Sequence, residues 1–119
     1  MERSPTRLAR ELLAGDAGGL EELRLHVFED DESAHDDEFI EKLYTDFSDD
    51  FDRVKAALTT EFGAPLRVGE EDDEVIPLNG VFRYAVWEVG DRLLFAAAAH
   101  EDRGVPIILL LDTAAAENA

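Results

Sequence analysis

A compact polar insert separates two apolar runs in the segment FAAAAHEDRGVPIILLL, which spans Phe95 to Leu111. The insert, His100 to Gly104, supplies side chains that can exchange protons or bind a metal ion. Neighbours on a turn point in different directions, however, so adjacency alone does not build a site. Gly104 and Pro106 also fit ordinary turn chemistry. We therefore predict an exposed charged turn here, with catalysis by His100 and nearby acids as the alternative.

Three other groups of residues have types that suit metal binding. His35 and Glu38 have a three-residue spacing that would place both on one helical face, but no second pair matches them. His26 is a lone histidine, which is typical of surface or satisfied core positions. The acidic run from Glu70 to Glu74 lacks the glycine and the spacing of an EF-hand, so it is expected to be a solvated loop. We predict no metal site.

The sequence lacks the motifs of familiar enzymes. It contains no phosphate-binding loop, serine-hydrolase elbow, zinc-protease motif or kinase signature. The absence of cysteine excludes disulfides, thiolate catalysis and cysteine-ligated metal centres. We therefore predict no catalytic residue and no cofactor, and we expect a protein that is not an enzyme.

The charge of the chain is strongly negative, with 29 acidic and 11 basic residues and a formal net charge of −18. Such a surface repels nucleic-acid phosphates and anionic membranes, so we predict no direct contact with either. The same surface attracts a basic protein, although a purely solubilising role is the alternative. The residues predicted to bind such a partner are Glu29, Asp30, Asp31, Asp36, Asp37 and Trp87.

A chain of 119 residues with 45% apolar residues is expected to form one folded domain, residues 1–119. Its first residues lack the apolar core of a secretion signal, and no apolar run approaches the roughly 20 residues that span a bilayer. A cytoplasmic location is the resulting expectation.

The first half of the chain has mainly helical patterns. Ser4 and Pro5 predict the start of a short helix that Gly15 can end. Residues 20–29 fit either a helix or a strand, and we favour a helix. From Phe39 to Phe62 the apolar spacing predicts a long helix, with a break near Ser48 because that residue and the two acids after it could begin a new helix.

The second half has strand patterns. A short strand is expected at Leu66 and Val68, after Gly63 and Pro65 end the long helix. VFRYAVWEV, RLLFAAAAH and VPIILLL then predict a three-stranded antiparallel meander. The four alanines leave space for a helix or for a second subunit, so a homodimer is an alternative to the simpler helix–sheet contact. The predicted fold class is α+β, with N-terminal helices packed on a C-terminal antiparallel sheet of three to four strands.

Two aromatic residues of the meander, Tyr84 and Trp87, lie on opposite faces of a regular strand, so one of them could lie outside the core. An exposed aromatic residue could anchor a protein contact, whereas the helices could equally cover it. Both possibilities follow from the pattern.

Three segments, EFGAP, VWEVGDRLLF and HEDRGVPIILLL, resemble a group of small uncharacterised bacterial proteins from high-GC genomes. These proteins have an acidic helical half and a C-terminal Trp-containing β-meander. The resemblance covers residues 60–111 and bears on the fold more than on the function. With the charge, it leads us to expect a small non-enzymatic interaction module, immunity-like or antitoxin-like, that binds a basic protein. The alternative is a small hydrolase or metal-dependent enzyme that uses His100 and nearby acids.

Overall fold

The computed structural model describes residues 4–15, 20–28, 36–102 and 105–115. Within these ranges the chain forms two helices and five strands, which follow one another as α1 (Pro5–Ala14), β1 (Glu21–His26), α2 (Asp37–Phe62), β2 (Arg67–Gly69), β3 (Val81–Val89), β4 (Arg92–Ala99) and β5 (Ile107–Ala115). The strands form one antiparallel sheet in the order β1-β5-β4-β3-β2. The fold is therefore α+β.

The sheet differs from the prediction in the number and the origin of its strands. It has five strands rather than three to four, because β1 joins the meander by pairing with β5. Since β1 precedes α2 in the chain, the helices do not simply come before the sheet. The predicted meander of β3, β4 and β5 and the short strand β2 are confirmed.

The helix favoured for residues 20–29 is wrong, because residues 21–26 form strand β1. The pairing with β5 shifts in register between Glu22 and Arg24, and Leu23 packs partly buried against the helix-side core. The guanidinium of Arg24 lies 4.3 Å from the centre of the Phe47 ring and donates to Asp50 at 2.7 Å. These contacts with α2 are long-range and favour the strand over the local helical pattern.

Helix α2 is continuous through Ser48, so the predicted break is also wrong. Asp50 does not begin a second helix. Its carboxylate is buried in the middle of α2 and accepts hydrogen bonds from Arg24 and Arg53. Because both carboxylate oxygens have a cationic partner, the acid is accommodated inside the helical segment.

One face of the sheet is covered by both helices. The α2 side chains Phe47, Phe51, Val54 and Leu58 are fully buried, and Phe62 is partly buried against the same core. Opposite them lie Ala96 and Ala98 of β4, whose small side chains allow the helices to approach closely. The predicted packing of α2 on the sheet is therefore confirmed.

Helix α1 begins and ends as the sequence predicts. Ser4 accepts a hydrogen bond from the backbone N–H of Arg7, Pro5 occupies the first turn, and the helix ends at Gly15. Arg92 of β4 donates to the carbonyl oxygens of Leu12, Leu13 and Gly15 at 2.7–3.1 Å. This arginine satisfies the carbonyls at the end of α1 and joins the helix to the sheet.

The opposite face of the sheet has a second buried cluster, which includes Val75 and Ile76 from the segment between β2 and β3. Asp72 accepts a hydrogen bond from the N–H of Val81 at 2.9 Å, and Asp73 accepts one from the N–H of Val75 at 3.0 Å. The acidic segment is thus a loop, as predicted, but two of its acids organise it. In the part of the chain that the structure describes, no helix is both long enough and apolar enough to cross a membrane.

Candidate functional site

A surface cavity of about 300 Å³ lies between the start of α2 and the end of β4. Three of its lining residues are acids, and we call Asp37, Glu41 and Asp102 the acidic rim. All three are solvent-exposed. The remaining lining residues are Ile40, Tyr44 and His100. The cavity therefore has a charged opening and a floor with aromatic and aliphatic groups.

Local sequence explains how α2 contributes to this cavity. Asp36 caps the helix by accepting a hydrogen bond from the N–H of Phe39 at 3.1 Å. Asp37 and Glu38 follow in the first turn, where the helix dipole favours negative charge. Asp37, Glu41 and Tyr44 are spaced by four and then three residues, so they lie on one helical face. This face of α2 forms one side of the cavity.

His100 lies on the floor of the cavity, directly after β4. The residue is only 8% exposed, and its Nδ1 atom lies 2.7 Å from the hydroxyl oxygen of Tyr44. A hydrogen bond at this distance fixes the orientation of both rings. The pair can share a proton, which gives the cavity a polar group below its carboxylates.

Ring contacts extend from His100 across four elements. Phe28 lies beside His100 with ring centres 5.6 Å apart, and His26 contacts Phe28 at 4.9 Å. Tyr44 packs on Phe82 of β3 at 4.7 Å. These contacts fall within the usual range for aromatic pairs, so they hold the end of β1, the start of α2, β3 and the end of β4 together.

Gly80 packs against the backbone of His100. Its carbonyl oxygen accepts a hydrogen bond from the N–H of His100 at 2.9 Å, and its φ angle is +72°. A Cβ atom at this position would lie 2.3 Å from the carbonyl oxygen of His100. Only glycine permits both this backbone conformation and this close approach.

The residues predicted to bind a partner lie in different parts of the structure. Asp37 is part of the acidic rim, and Asp36 is exposed beside it while capping α2. Glu29, Asp30 and Asp31 lie outside the described residues. Trp87 is fully buried on the helix side of the sheet, and its Nε1 atom donates to the carbonyl oxygen of Gly63 at 3.1 Å. The helices cover this indole, so it is not on the surface for a partner to contact.

The prediction of an exposed charged turn after β4 is wrong for His100 and right for the two residues that follow it. His100 is buried against Tyr44, whereas Glu101 and Asp102 are exposed. Arg103 and Gly104 lie outside the described residues. The insert thus contributes two of its residues, His100 and Asp102, to the cavity.

Metal binding has no candidate cluster in the described ranges, where no group of three or more His, Cys, Asp or Glu side chains is placed to hold an ion. His35 of the pair with Glu38 lies outside those ranges. His26 is half-buried in ring contacts with Phe28 and Phe39.

A second acidic region, the loop of residues 70–74, follows β2, which forms one edge of the sheet. There Asp73 accepts two hydrogen bonds from Arg67 at 2.9 and 3.0 Å. The bond from Arg67 holds the pKa of the Asp73 carboxyl below its ordinary value. Burial raises the pKa of the nearby Tyr84 hydroxyl, and the negative charge of Asp73 adds to that shift. This network is part of the fold rather than an open site.

Sequence reasoning missed Glu41, Tyr44 and Gly80. Tyr44 falls within the apolar pattern of residues 39–62, although its spacing from Asp37 and Glu41 places the three on one face of α2. Nothing local to Gly80 shows that a strand end twenty residues later will press against it. The close approach depends on the pairing of β3 with β4.

No family model, curated protein or solved structure matches this chain. The resemblance to small proteins of high-GC bacteria therefore remains an expectation from the sequence.

Proposed function

We propose that this protein is a small acidic interaction module that binds a basic protein through the acidic rim. The observation that carries the proposal is the convergence of Asp37, Glu41 and Asp102 around an open cavity. Two of these carboxylates come from α2 and the third comes from the segment after β4. Residues distant in sequence thus present negative charge in one place.

Electrostatic attraction supports the proposal both at long distance and at contact. The net charge of −18 attracts a basic protein over a distance that salt limits to about 10 Å at 0.1 M. At contact, the rim offers carboxylate oxygens to lysine or arginine side chains, and bidentate pairing favours arginine. Long-range attraction then sets the association rate, and the rim sets the orientation.

Asp50 of α2 differs from the acids of the rim because it is buried between Arg24 of β1 and Arg53 of its own helix. Its pair with Arg24, like the pair of Asp52 with Arg83 of β3, joins the helix to the sheet. The rim carboxylates are exposed at a cavity, where a cation from another molecule can reach them. An immunity-like or antitoxin-like role, in which the partner is a basic effector, fits this chemistry.

Capture from native lysate with three matched baits tests the proposal. The first bait is the wild-type chain, and the second neutralises the rim with Asp37→Asn, Glu41→Gln and Asp102→Asn. The third neutralises three exposed loop acids with Glu70→Gln, Glu71→Gln and Glu74→Gln, so its net charge equals that of the second. A basic protein retained by the first and third baits but lost from the second supports the proposal. Equal retention by all three baits contradicts it.

A second candidate function is catalysis, which the buried hydrogen bond between His100 and Tyr44 at the cavity favours. The pair could move a proton to or from a substrate in the cavity. Screening of hydrolase substrates and metal analysis of the purified protein test this candidate. An activity or a stoichiometric metal that is lost in Tyr44→Phe, without a loss of stability, would replace the interaction proposal.

A further inference from the structure

Strand β1 forms one edge of the sheet. It pairs with β5 on one side and, among the described residues, with no strand on the other. An edge strand can present backbone N–H and C=O groups to an added strand from another chain. Lysine and proline, which block many such edges, do not occur in β1. The register shift between Glu22 and Arg24 interrupts the regular pairing near the start of the strand, so the edge offered to an added strand begins at Arg24.

Large apolar side chains are exposed along this edge. Leu25 of β1 is 44% exposed, and the flanking residues Leu20 and Val27 are 52% and 54% exposed. Leu25 and Val27 are two residues apart, the spacing that places side chains on the same face of an extended chain. Leu25 also lies opposite the half-buried Ile108 of β5. The edge therefore offers apolar contacts as well as backbone groups.

Acidic residues lie near both ends of β1. Glu21 and Glu22 lie at the start of β1. At its other end, His26 contacts Phe39 of α2 with ring centres 5.8 Å apart, which places β1 next to the exposed acids of the first helical turn. An added segment that is both extended and basic would match the edge in shape and in charge.

We propose that β1 takes up an extended basic segment of the partner as a sixth strand of the sheet. The inference rests on the proposed function, because it names the form in which a basic partner binds. Backbone hydrogen bonds to β1 supply the affinity, apolar residues of the segment cover Leu25 and Val27, and its lysines or arginines face the neighbouring carboxylates.

Two other arrangements are less compatible with these observations. The opposite edge strand, β2, also has exposed apolar residues, Val68 within the strand and Leu66 just before it, but it has only three residues. A second copy of this chain at β1 would bring two molecules of net charge −18 together. A basic segment relieves that repulsion, whereas a second copy increases it.

The test uses a short peptide of alternating lysine and valine. A peptide of alternating lysine and proline has the same charge but lacks half of the N–H groups, and a glutamate–valine peptide reverses the charge. Binding is measured by titration, and amide hydrogen exchange locates the peptide on the full chain. Leu25→Lys places a blocking charge on β1, and Leu66→Lys places the same charge near β2, with thermal unfolding as the check that both variants fold.

We expect the lysine–valine peptide to slow amide exchange in β1 and to lose at least about tenfold in affinity in Leu25→Lys, with less than about twofold change in Leu66→Lys. Equal binding of the lysine–proline peptide, or equal effects of the two variants, would overturn strand addition and leave charge attraction intact. If neither lysine peptide binds, strand addition and the proposed function both fail. Self-association through Leu25 without peptide binding would identify a second copy as the occupant.

Discussion

The two acidic regions of this protein use the same residue type for opposite purposes. In the loop of residues 70–74, Asp72 and Asp73 accept hydrogen bonds from backbone N–H groups, and Asp73 also accepts from Arg67. In the acidic rim, Asp37, Glu41 and Asp102 are exposed around a cavity. Composition alone does not distinguish these uses, because the surroundings of each carboxylate depend on the fold.

Each region also carries a different consequence for stability. A carboxylate that accepts from an arginine and from a backbone N–H leaves both donors unsatisfied when it is removed. Water screens the interactions of an exposed carboxylate, so its removal should cost the fold less. The comparison therefore predicts large folding effects in the loop and small ones at the rim.

The largest effect on folding stability is expected at Gly80. This residue follows the acidic loop in the chain, and its carbonyl oxygen accepts a hydrogen bond from His100. Gly80→Ala requires a positive φ and places Cβ against backbone atoms of His100 and Glu101. We expect a loss of about 3 kcal/mol or more in the free energy of unfolding, measured with denaturant.

The matched control is Gly90→Ala, where φ is +64° but a Cβ atom would meet nothing within 4 Å. This variant should lose only about 1–2 kcal/mol, from the backbone conformation alone. Equal losses in the two variants would show that the contact between Gly80 and His100 is not tight.

Asp73→Asn tests the contribution of the Asp73–Arg67 pair to folding stability. The change weakens the paired hydrogen bonds with Arg67, so we expect a loss of about 1.5–3 kcal/mol in the free energy of unfolding. Glu71→Gln alters an exposed acid two positions earlier and should change stability by less than about 0.5 kcal/mol. If Asp73→Asn lost less than about 0.5 kcal/mol in the free energy of unfolding, the network would not stabilise the fold.

The pH dependence of unfolding sharpens the same point. Because Arg67 lowers the pKa of Asp73 in the folded state, the unfolded state binds the proton more readily. The contribution of Asp73 is present above the unfolded pKa of about 4 and is lost as pH falls through the lower folded pKa. The stability difference between wild type and Asp73→Asn should therefore shrink as pH falls below about 4. A difference that stays constant as the solution is acidified below that pH would contradict the assigned role.

Salt should produce a smaller effect on the wild-type fold. The excess of 18 negative charges causes self-repulsion, which added salt screens. We expect the free energy of unfolding to rise by about 1 kcal/mol between low salt and 1 M sodium chloride at pH 7. A decrease would mean that the screened ion pairs, such as Arg10 with Glu61, outweigh the repulsion.

Sequence patterns predicted the parts of the fold that local spacing determines. The spacing of Phe47, Phe51, Val54 and Leu58 predicts the buried face of α2, and the β-branched and aromatic residues predict the meander. Strand β1 was not predictable in this way, because Arg24 meets Asp50 across 26 positions. The continuity of α2 through Ser48 also depends on a long-range contact, because Arg24 pairs with Asp50 inside the helical segment.

The candidate site was predictable only in part. The acids at the start of α2 and the polar residues after β4 are visible in the sequence as two separate groups. Their meeting around one cavity depends on the helix packing across the sheet, and the burial of His100 depends on Tyr44 and on the approach of Gly80. Trp87 shows the converse, because an aromatic residue suited to a contact surface became part of the core.

The most direct measurement of the central claim is the association rate of a lysine-rich peptide with the rim-neutralised chain and with the loop-neutralised chain. The two triple variants have equal net charge, so they differ only in where the carboxylates were removed. The account predicts that association with the rim variant is at least about tenfold slower than with wild type at low salt, whereas the loop variant changes by less than about twofold. Equal slowing in both variants would show that net charge alone attracts the peptide and would contradict a binding site at the rim.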